Sequence, residues 1–377
     1  MSMRVLAAPL AALALVACGS TAATPVQSDG SGGAAAASPK VVAFGDSFTA
    51  GFGFYDDGTE MTGEEFFTCV GEGTIPADKK NDLCSSNGTA RTPEDPLAFA
   101  PDYGYGNQVS WAAQVAQGLG VPAESYVNYA ISGSTGKEWA EDLFTIDGTN
   151  GLAAVAAQDP DVVLMTLGGN PTLGKVILGE GERCDAYDKP DAGLSGANLT
   201  AQESELRACF NRIITEDGTY DALVTVYTRL LDSTQAQILV LTYPRVVPAL
   251  ALGNYTPAGL LIAREELNAT IAKAMEAVKS SHSEGSRLIS ADPDFAVGLP
   301  PGDYTAADCF GAAKDATGTD GPSNQSTPTQ ENFAEMYATT GWCPGTPFLI
   351  AGDTGVHPNK AGYAEFARVA LAALGRN

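Results

Sequence analysis

Five apolar runs punctuate the chain: Lys40–Phe44, Ser125–Ile131, Asp161–Leu167, Gln237–Tyr243 and Arg287–Ser290. Most are continuous rather than alternating, the pattern of strands covered by helices on both faces. Between them the period lengthens. Asn107–Leu119 carries Val109, Ala112, Ala113, Ala116 and Leu119 along one side, and Thr219–Ser233 and Gly259–Ser281 are longer amphipathic stretches. A last helix is expected from near Asn359, after Pro358, to Leu374. Strands alternating with helices predict one α/β domain around a parallel sheet of about five strands.

Three polar stretches interrupt the alternation: Asp56–Pro101, Gly179–Thr200 and Gly298–Pro347. Loops of that length are usually functional or pinned by crosslinks. They are read as insertions in one domain rather than as a second domain. No internal repeat is visible.

The N-terminus has a different character. A short basic start, Met1–Arg4, precedes the apolar run Val5–Ala17, which is too short to span a bilayer and reads as a secretory core segment. It ends in Leu15-Val16-Ala17-Cys18-Gly19, which resembles the bacterial lipobox, whose cysteine is lipidated after cleavage. Gly19–Ser38, rich in Gly, Ser, Ala and Thr, is a flexible tether in composition. The expected organisation is a signal peptide over 1–17, a lipidated Cys18 and linker over 18–38, and one folded domain over 39–377. The alternative is an ordinary signal peptide with Cys18 discarded. Acyl chains on Cys18 would hold the domain at the outer membrane surface; without them it is secreted.

Apart from Cys18, six cysteines remain, an even number that in an exported chain implies disulfides. Proximity suggests Cys69–Cys84, Cys184–Cys209 and Cys309–Cys343. Zinc is disfavoured, because no C-x-x-C occurs and the chain has two histidines. The formal charge of −24 argues against nucleic acid as partner.

The residues just beyond the strands suggest the chemistry. Ser47, in Gly45-Asp46-Ser47, comes after the first run; Ser132-Gly133-Ser134 after the second; Gly168-Gly169-Asn170 after the third. Open α/β sheets bind ligands beyond the carboxyl ends of their strands, so these residues should converge on one face. A serine hydroxyl needs a base within hydrogen-bond reach. His357, in Asp353-Thr354-Gly355-Val356-His357-Pro358, is the credible one; His282 sits at the polar end of a helix and reads as surface. Taken singly, Ser47 is also readable as a helix N-cap, Gly133 as a turn and Gly168–Asn170 as a helix cap. Phe52, Phe54, Tyr55, Tyr103, Tyr105 and Trp111 are candidates for an acyl pocket or for core. Asp292 and Asp294 lack the spacing of a calcium loop.

Together the four elements resemble the SGNH, or GDSL-type, hydrolases. Gly45-Asp46-Ser47 matches the first block, Gly133 the second, Asn170 the third, and His357 in Val356-His357-Pro358-Asn359-Lys360-Ala361-Gly362-Tyr363 the fifth. The likeness covers about residues 39–377 without the insertions, and the layout resembles secreted actinobacterial lipases and esterases. It implies a three-layer flavodoxin-like fold and acyl-ester hydrolysis through an acyl-enzyme, without cofactor or metal; the expected substrate is a lipid or short acyl ester, and the expected state a monomer. Ser47 would be nucleophile and His357 base; the Ser47 and Gly133 N–H groups and the Asn170 amide would form the oxyanion hole. The sequence departs from the family in two places. The acid usually lies three residues before the histidine, where this chain has Thr354; either Asp353 or a backbone carbonyl near Thr354 then orients the ring. Pro171 follows Asn170 where Asp is usual, and is expected to push Asn170 toward extended geometry. Two other readings stand beside this one: a carbohydrate O-deacetylase using the same residues, and a binding lipoprotein that has lost turnover, suggested by Pro171 and the missing acid at position 354.

Overall fold

The apolar runs form strands because two layers of helices remove them from water. The computed structural model describes residues 39–62, 92–99, 103–173, 197–244, 257–293 and 360–376, together with residues 65, 68, 184, 357 and 358. In chain order the elements are β1 (Val41–Gly45), α1 (Ser47–Ala50), β2 (Leu97–Phe99), α2 (Trp111–Gly118), β3 (Tyr126–Asn128), α3 (Gly136–Ala140), β4 (Phe144–Ile146), β5 (Thr149–Asn150), α4 (Gly151–Ala157), β6 (Val162–Thr166), α5 (Asn170–Leu173), α6 (Ala197–Glu216), α7 (Thr219–Ser233), β7 (Gln237–Leu241), α8 (Pro257–Ser281), β8 (Leu288–Ala291) and α9 (Lys360–Ala373).

The main sheet has five strands in the order β3-β1-β6-β7-β8, and every neighbouring pair is parallel. The register runs Val41 opposite Val162 through Gly45 opposite Thr166 at the centre. Both central strands are buried along their whole length, which explains why their sequences do not alternate. Helix α2 packs on α9, while α3, α4, α6, α7 and α8 pack among themselves. This is the three-layer arrangement that right-handed crossovers produce.

By chain order the strands lie 2-1-3-4-5. The order reverses between β1 and β6, so the loops leaving these two strands diverge and open a crevice there. Ser47 follows β1, and Gly168–Asn170 follow β6.

The second strand is shorter than the apolar run Ser125–Ile131. Asn128 ends it, because its Oδ1 accepts from the Ala130 N–H at 3.0 Å and its Nδ2 donates to the Thr49 carbonyl at 2.9 Å. Hydrogen bonding to β1 nevertheless continues, from Tyr129 N–H to the Ala43 carbonyl at 2.7 Å and from Ile131 N–H to the Gly45 carbonyl at 2.8 Å. Two stretches read as insertions carry structure: β2 forms a small sheet with β4 and β5, and α6 begins before Thr200.

A satellite core lies beside the main one, built from Cys184, Leu206, Cys209, Phe210, Ile213, Ile262 and Ala263. It carries the disulfide Cys184–Cys209, as proximity in sequence suggests. Arg207 on α6 ties it to α8 through Glu265 and Glu266, at 2.6 and 2.8 Å. The suggested pairs Cys69–Cys84 and Cys309–Cys343, and Cys18, lie outside the described residues.

Candidate active site

The crevice is built from the end of β1 outward. Gly45 has φ +124°, and a Cβ there would lie 2.1 Å from the Thr166 carbonyl oxygen, so only glycine fits where β1 meets β6. The Asp46 N–H then donates to that same carbonyl at 3.0 Å. Asp46 caps α1, accepting from the Phe48 N–H at 3.1 Å, so Ser47 opens the helix. The first N–H groups of a helix have no acceptor within it, and the Ser47 N–H is one of them. Helix α1 is four residues long, and Asn107 fastens the chain around its end: its amide donates to the carbonyls of Ala50, Gly51 and Phe54 at 3.3, 2.8 and 3.0 Å.

His357 comes from the other end of the chain. Its Nε2 is 2.7 Å from Ser47 Oγ, and both residues are buried. Its ring lies between Phe48 and Phe52, with centroids 5.0 and 4.9 Å away. Helix α9, next along the chain, is tied to the same segment. Tyr363 donates to the Phe52 carbonyl at 2.9 Å, and Phe366 stacks on Phe48. This is the geometry that a serine nucleophile and its base require.

The second loop is a tight turn in which the Ser134 N–H donates to the Ile131 carbonyl at 3.0 Å. Gly133 takes the third position with φ +80°, the sign a type II turn requires. Ile131 N–H and Ser134 Oγ both donate to the Gly45 carbonyl, each at 2.8 Å. The turn is thereby fixed to the residue two places before Ser47. Asn170 reaches across from the third loop, and its Nδ2 donates to the Ser134 carbonyl at 2.7 Å. An amide nitrogen carries two protons, so one remains for another acceptor.

Beneath Ser47 lies a polar network. Asp46 accepts from Thr166 Oγ1 at 2.7 Å and from the Tyr243 hydroxyl. Thr166 Oγ1 also pairs with Thr49 Oγ1 at 2.7 Å. Burial pushes the Asp46 carboxyl up to about 6, although these donors pull the other way. Burial and the neighbouring Asp46 charge push the Tyr243 phenol well above its ordinary value. Among the described residues no cluster of His, Cys, Asp and Glu is placed to hold a metal ion.

The profile of the GDSL-like lipase/acylhydrolase family matches residues 41–370. The chain belongs to that family. It is therefore a carboxylic ester hydrolase, and its sheet and helices have the SGNH hydrolase architecture. Among solved structures, it is similar to an extracellular lipase from Streptomyces rimosus, at 16% identity and a TM-score of 0.44 over 89% of this chain and 99% of that one. It is also similar to an acetylxylan esterase from Geobacillus stearothermophilus, at 16% identity and a TM-score of 0.38 over 90% and 95%. No curated protein matches it in sequence.

In this GDSL-type hydrolase, Ser47, Gly133, Asn170 and His357 all lie on the loops and helix ends around the crevice. Pro171 does not have the effect expected from the sequence. Asn170 opens α5 and Pro171 sits in its first turn, where a proline lacks only an N–H that the helix leaves unused anyway. Asp353 and Thr354, the two candidates for orienting His357, lie outside the described residues, as does Asp294. Phe54, Tyr55 and Trp111 are buried core, whereas Tyr103 is exposed and donates to Asp147 at 2.8 Å. His282 is partly buried at the end of α8, 3.0 Å from Asp232, rather than on the open surface. Asp292 pairs with Arg264.

The residues missed from sequence are the supports: Thr49, Asn107, Ser134, Thr166 and Tyr243. Tyr243 carries a signal, because it ends a predicted strand on the same side of the sheet where Ser47 and Asn170 emerge. Thr166 and Asn107 carry none, since both act through partners remote in sequence.

Proposed function

We propose that the chain is a serine esterase or lipase that cleaves acyl esters through an acyl-enzyme. The observation carrying this reading is the 2.7 Å separation of Ser47 Oγ and His357 Nε2. Ser47 Oγ attacks the ester carbonyl while its proton passes to Nε2. The negative charge on the carbonyl oxygen is held by the Ser47 and Gly133 N–H groups and the Asn170 amide. Collapse breaks the bond to the alcohol, which leaves with the proton from Nε2. Water, deprotonated by the same nitrogen, then releases the acid and restores Ser47. Either Asp353 or a carbonyl near Thr354 accepts from the imidazole Nδ1–H and fixes its tautomer.

The test is hydrolysis of p-nitrophenyl esters from acetyl to palmitoyl by wild type, Ser47→Ala and His357→Ala. Loss of activity in both variants supports the assignment, and activity surviving in Ser47→Ala refutes it. The chain-length optimum identifies the acyl group.

The leader and linker support export, with Cys18 lipidated at the membrane surface. No helix among the described residues is long and apolar enough to cross a membrane. Intact mass of membrane-extracted protein reads the modification directly, and an unmodified chain starting elsewhere refutes it.

A further inference from the structure

The Tyr243 hydroxyl touches both halves of the crevice. It donates to Asp46, next to Ser47, and accepts from the Gly169 N–H at 2.8 Å, next to Asn170. We propose that Tyr243 is a positioning residue for the oxyanion hole, holding the Asn170 loop at a fixed distance from the Ser47 turn. This rests on the proposed oxyanion role of Asn170.

Three observations make the phenol a rigid strut. First, its backbone is clamped by α8: the Tyr243 N–H donates to Asn268 Oδ1 at 3.0 Å, and the Tyr243 carbonyl accepts from Asn268 Nδ2 at 2.8 Å and Arg264 Nε at 3.0 Å. Second, the ring is buried and meets Phe48 edge-on, with centroids 5.3 Å apart. Third, the ring lies directly on Gly169, where an added Cβ would be 2.6 Å from two ring carbons. The Gly169 position thus has no room for a side chain, and its N–H has a buried acceptor provided from another strand end.

Asn170 has a tether to the second loop, through the Ser134 carbonyl. Tyr243 supplies the tether to the first loop, through Asp46. The oxyanion hole needs all three loops in register, because the charge it meets develops at one oxygen atom. A donor displaced by about 1 Å loses a large part of its effect. The hydroxyl acts through Asp46 and Gly169 rather than on Ser47 or His357 directly, so its removal acts on the transition state rather than on substrate binding.

Tyr243→Phe removes one oxygen and keeps the ring. The measurement is kcat and KM on the best p-nitrophenyl ester for wild type, Tyr243→Phe, Asn170→Ala and the double variant. Asn170→Ala is expected to lower kcat about 100-fold or more. Tyr243→Phe is expected to lower kcat about 10-fold with KM changed less than about 2-fold, and to add less than about 2-fold in the Asn170→Ala background. Effects that multiply in the double variant, or a Tyr243→Phe change confined to KM, overturn the proposal while leaving Asn170 in its role. An Asn170→Ala variant as active as wild type overturns the oxyanion assignment itself, and the strut with it. If Tyr243→Phe does not fold, Asp46→Asn keeps the ring and alters the other end of the same contact. It must show the same loss of kcat and the same lack of additivity with Asn170→Ala, and multiplicative loss overturns the proposal.

Discussion

Asp46→Asn should change how stability depends on pH, in a predictable direction. The Asp46 carboxyl has an ordinary value of 3.8 and a folded value of about 6, because burial penalises its charge. The folded protein therefore holds this proton more tightly than the unfolded chain. Below about pH 3.8 both states are protonated and the contribution to stability is fully present. As pH rises from there to about 6, the unfolded chain releases its proton first and stability falls. A displacement of roughly two pH units corresponds to ~3 kcal/mol. Most of it, ~2 kcal/mol, falls between about pH 4 and pH 7.5.

Many other carboxylates titrate in the same range, so the readout is the difference between variant and wild type. Asparagine keeps an oxygen for the Phe48 N–H and Thr166 hydroxyl, which stay at 3.1 and 2.7 Å from Oδ1 in the wild type. Its altered contact with Tyr243 shifts stability by an amount that does not depend on pH. Urea unfolding followed by tryptophan fluorescence, at matched m-values, gives both free energies. The stability of Asp46→Asn relative to wild type should rise by ~2 kcal/mol from about pH 4 to pH 7.5. A flat difference would show that Asp46 titrates alike in both states. A falling one would show that the donors outweigh burial, reversing the account of the network beneath Ser47.

Other substitutions probe the frame around the site. Gly45→Ala should cost about 3 kcal/mol or more, since it combines the wrong sign of φ with a 2.1 Å clash against Thr166, and a thermal melt reads it. Asn107→Ala leaves the buried carbonyls of Ala50, Gly51 and Phe54 without their shared donor and should cost about 2–3 kcal/mol by the same assay. Replacing Cys184 and Cys209 together by serine opens a crosslink spanning 25 positions and should cost about 3 kcal/mol in non-reducing urea unfolding. The Gly45 prediction fails if the variant melts with wild type, the Asn107 prediction if its midpoint is unmoved, and the disulfide prediction if the unfolding curves coincide.

The sheet is legible because burial on both faces writes itself into continuous apolar runs. The four candidate site residues are legible because each follows a strand or precedes a helix in a short recognisable context. Two elements carry signals that hydrophobic patterning alone hides. Thr135 and Glu138 form a reciprocal cap at the start of α3, and that T-x-x-E pattern is visible in the sequence. Leu206, Phe210, Ile213 and Ile214 have helical spacing, yet the polar stretch before them masks the start of α6. The local bias imposed by Pro171 is real but loses to its place in a helix first turn. Tyr243 and Asp46 are a different case. Their contact joins residues 197 positions apart: strand-end position puts both on one side of the sheet, but local sequence does not pair the phenol with the carboxylate.

Ser47 and His357 are separated by 310 positions, and Tyr363 and Phe52 by 311. A chain made from its N-terminus has the proposed nucleophile from the first strand onward and receives its base only with the segment that ends in α9. Among the described residues, all five strands of the main sheet are complete by Ala291. Formation of the sheet and the onset of hydrolysis are therefore separate events. In refolding, secondary structure should return before activity, and the interval between them times the docking of the last helix. On the proposed assignment, the serine stays silent throughout synthesis and turnover itself reports that the final segment has seated.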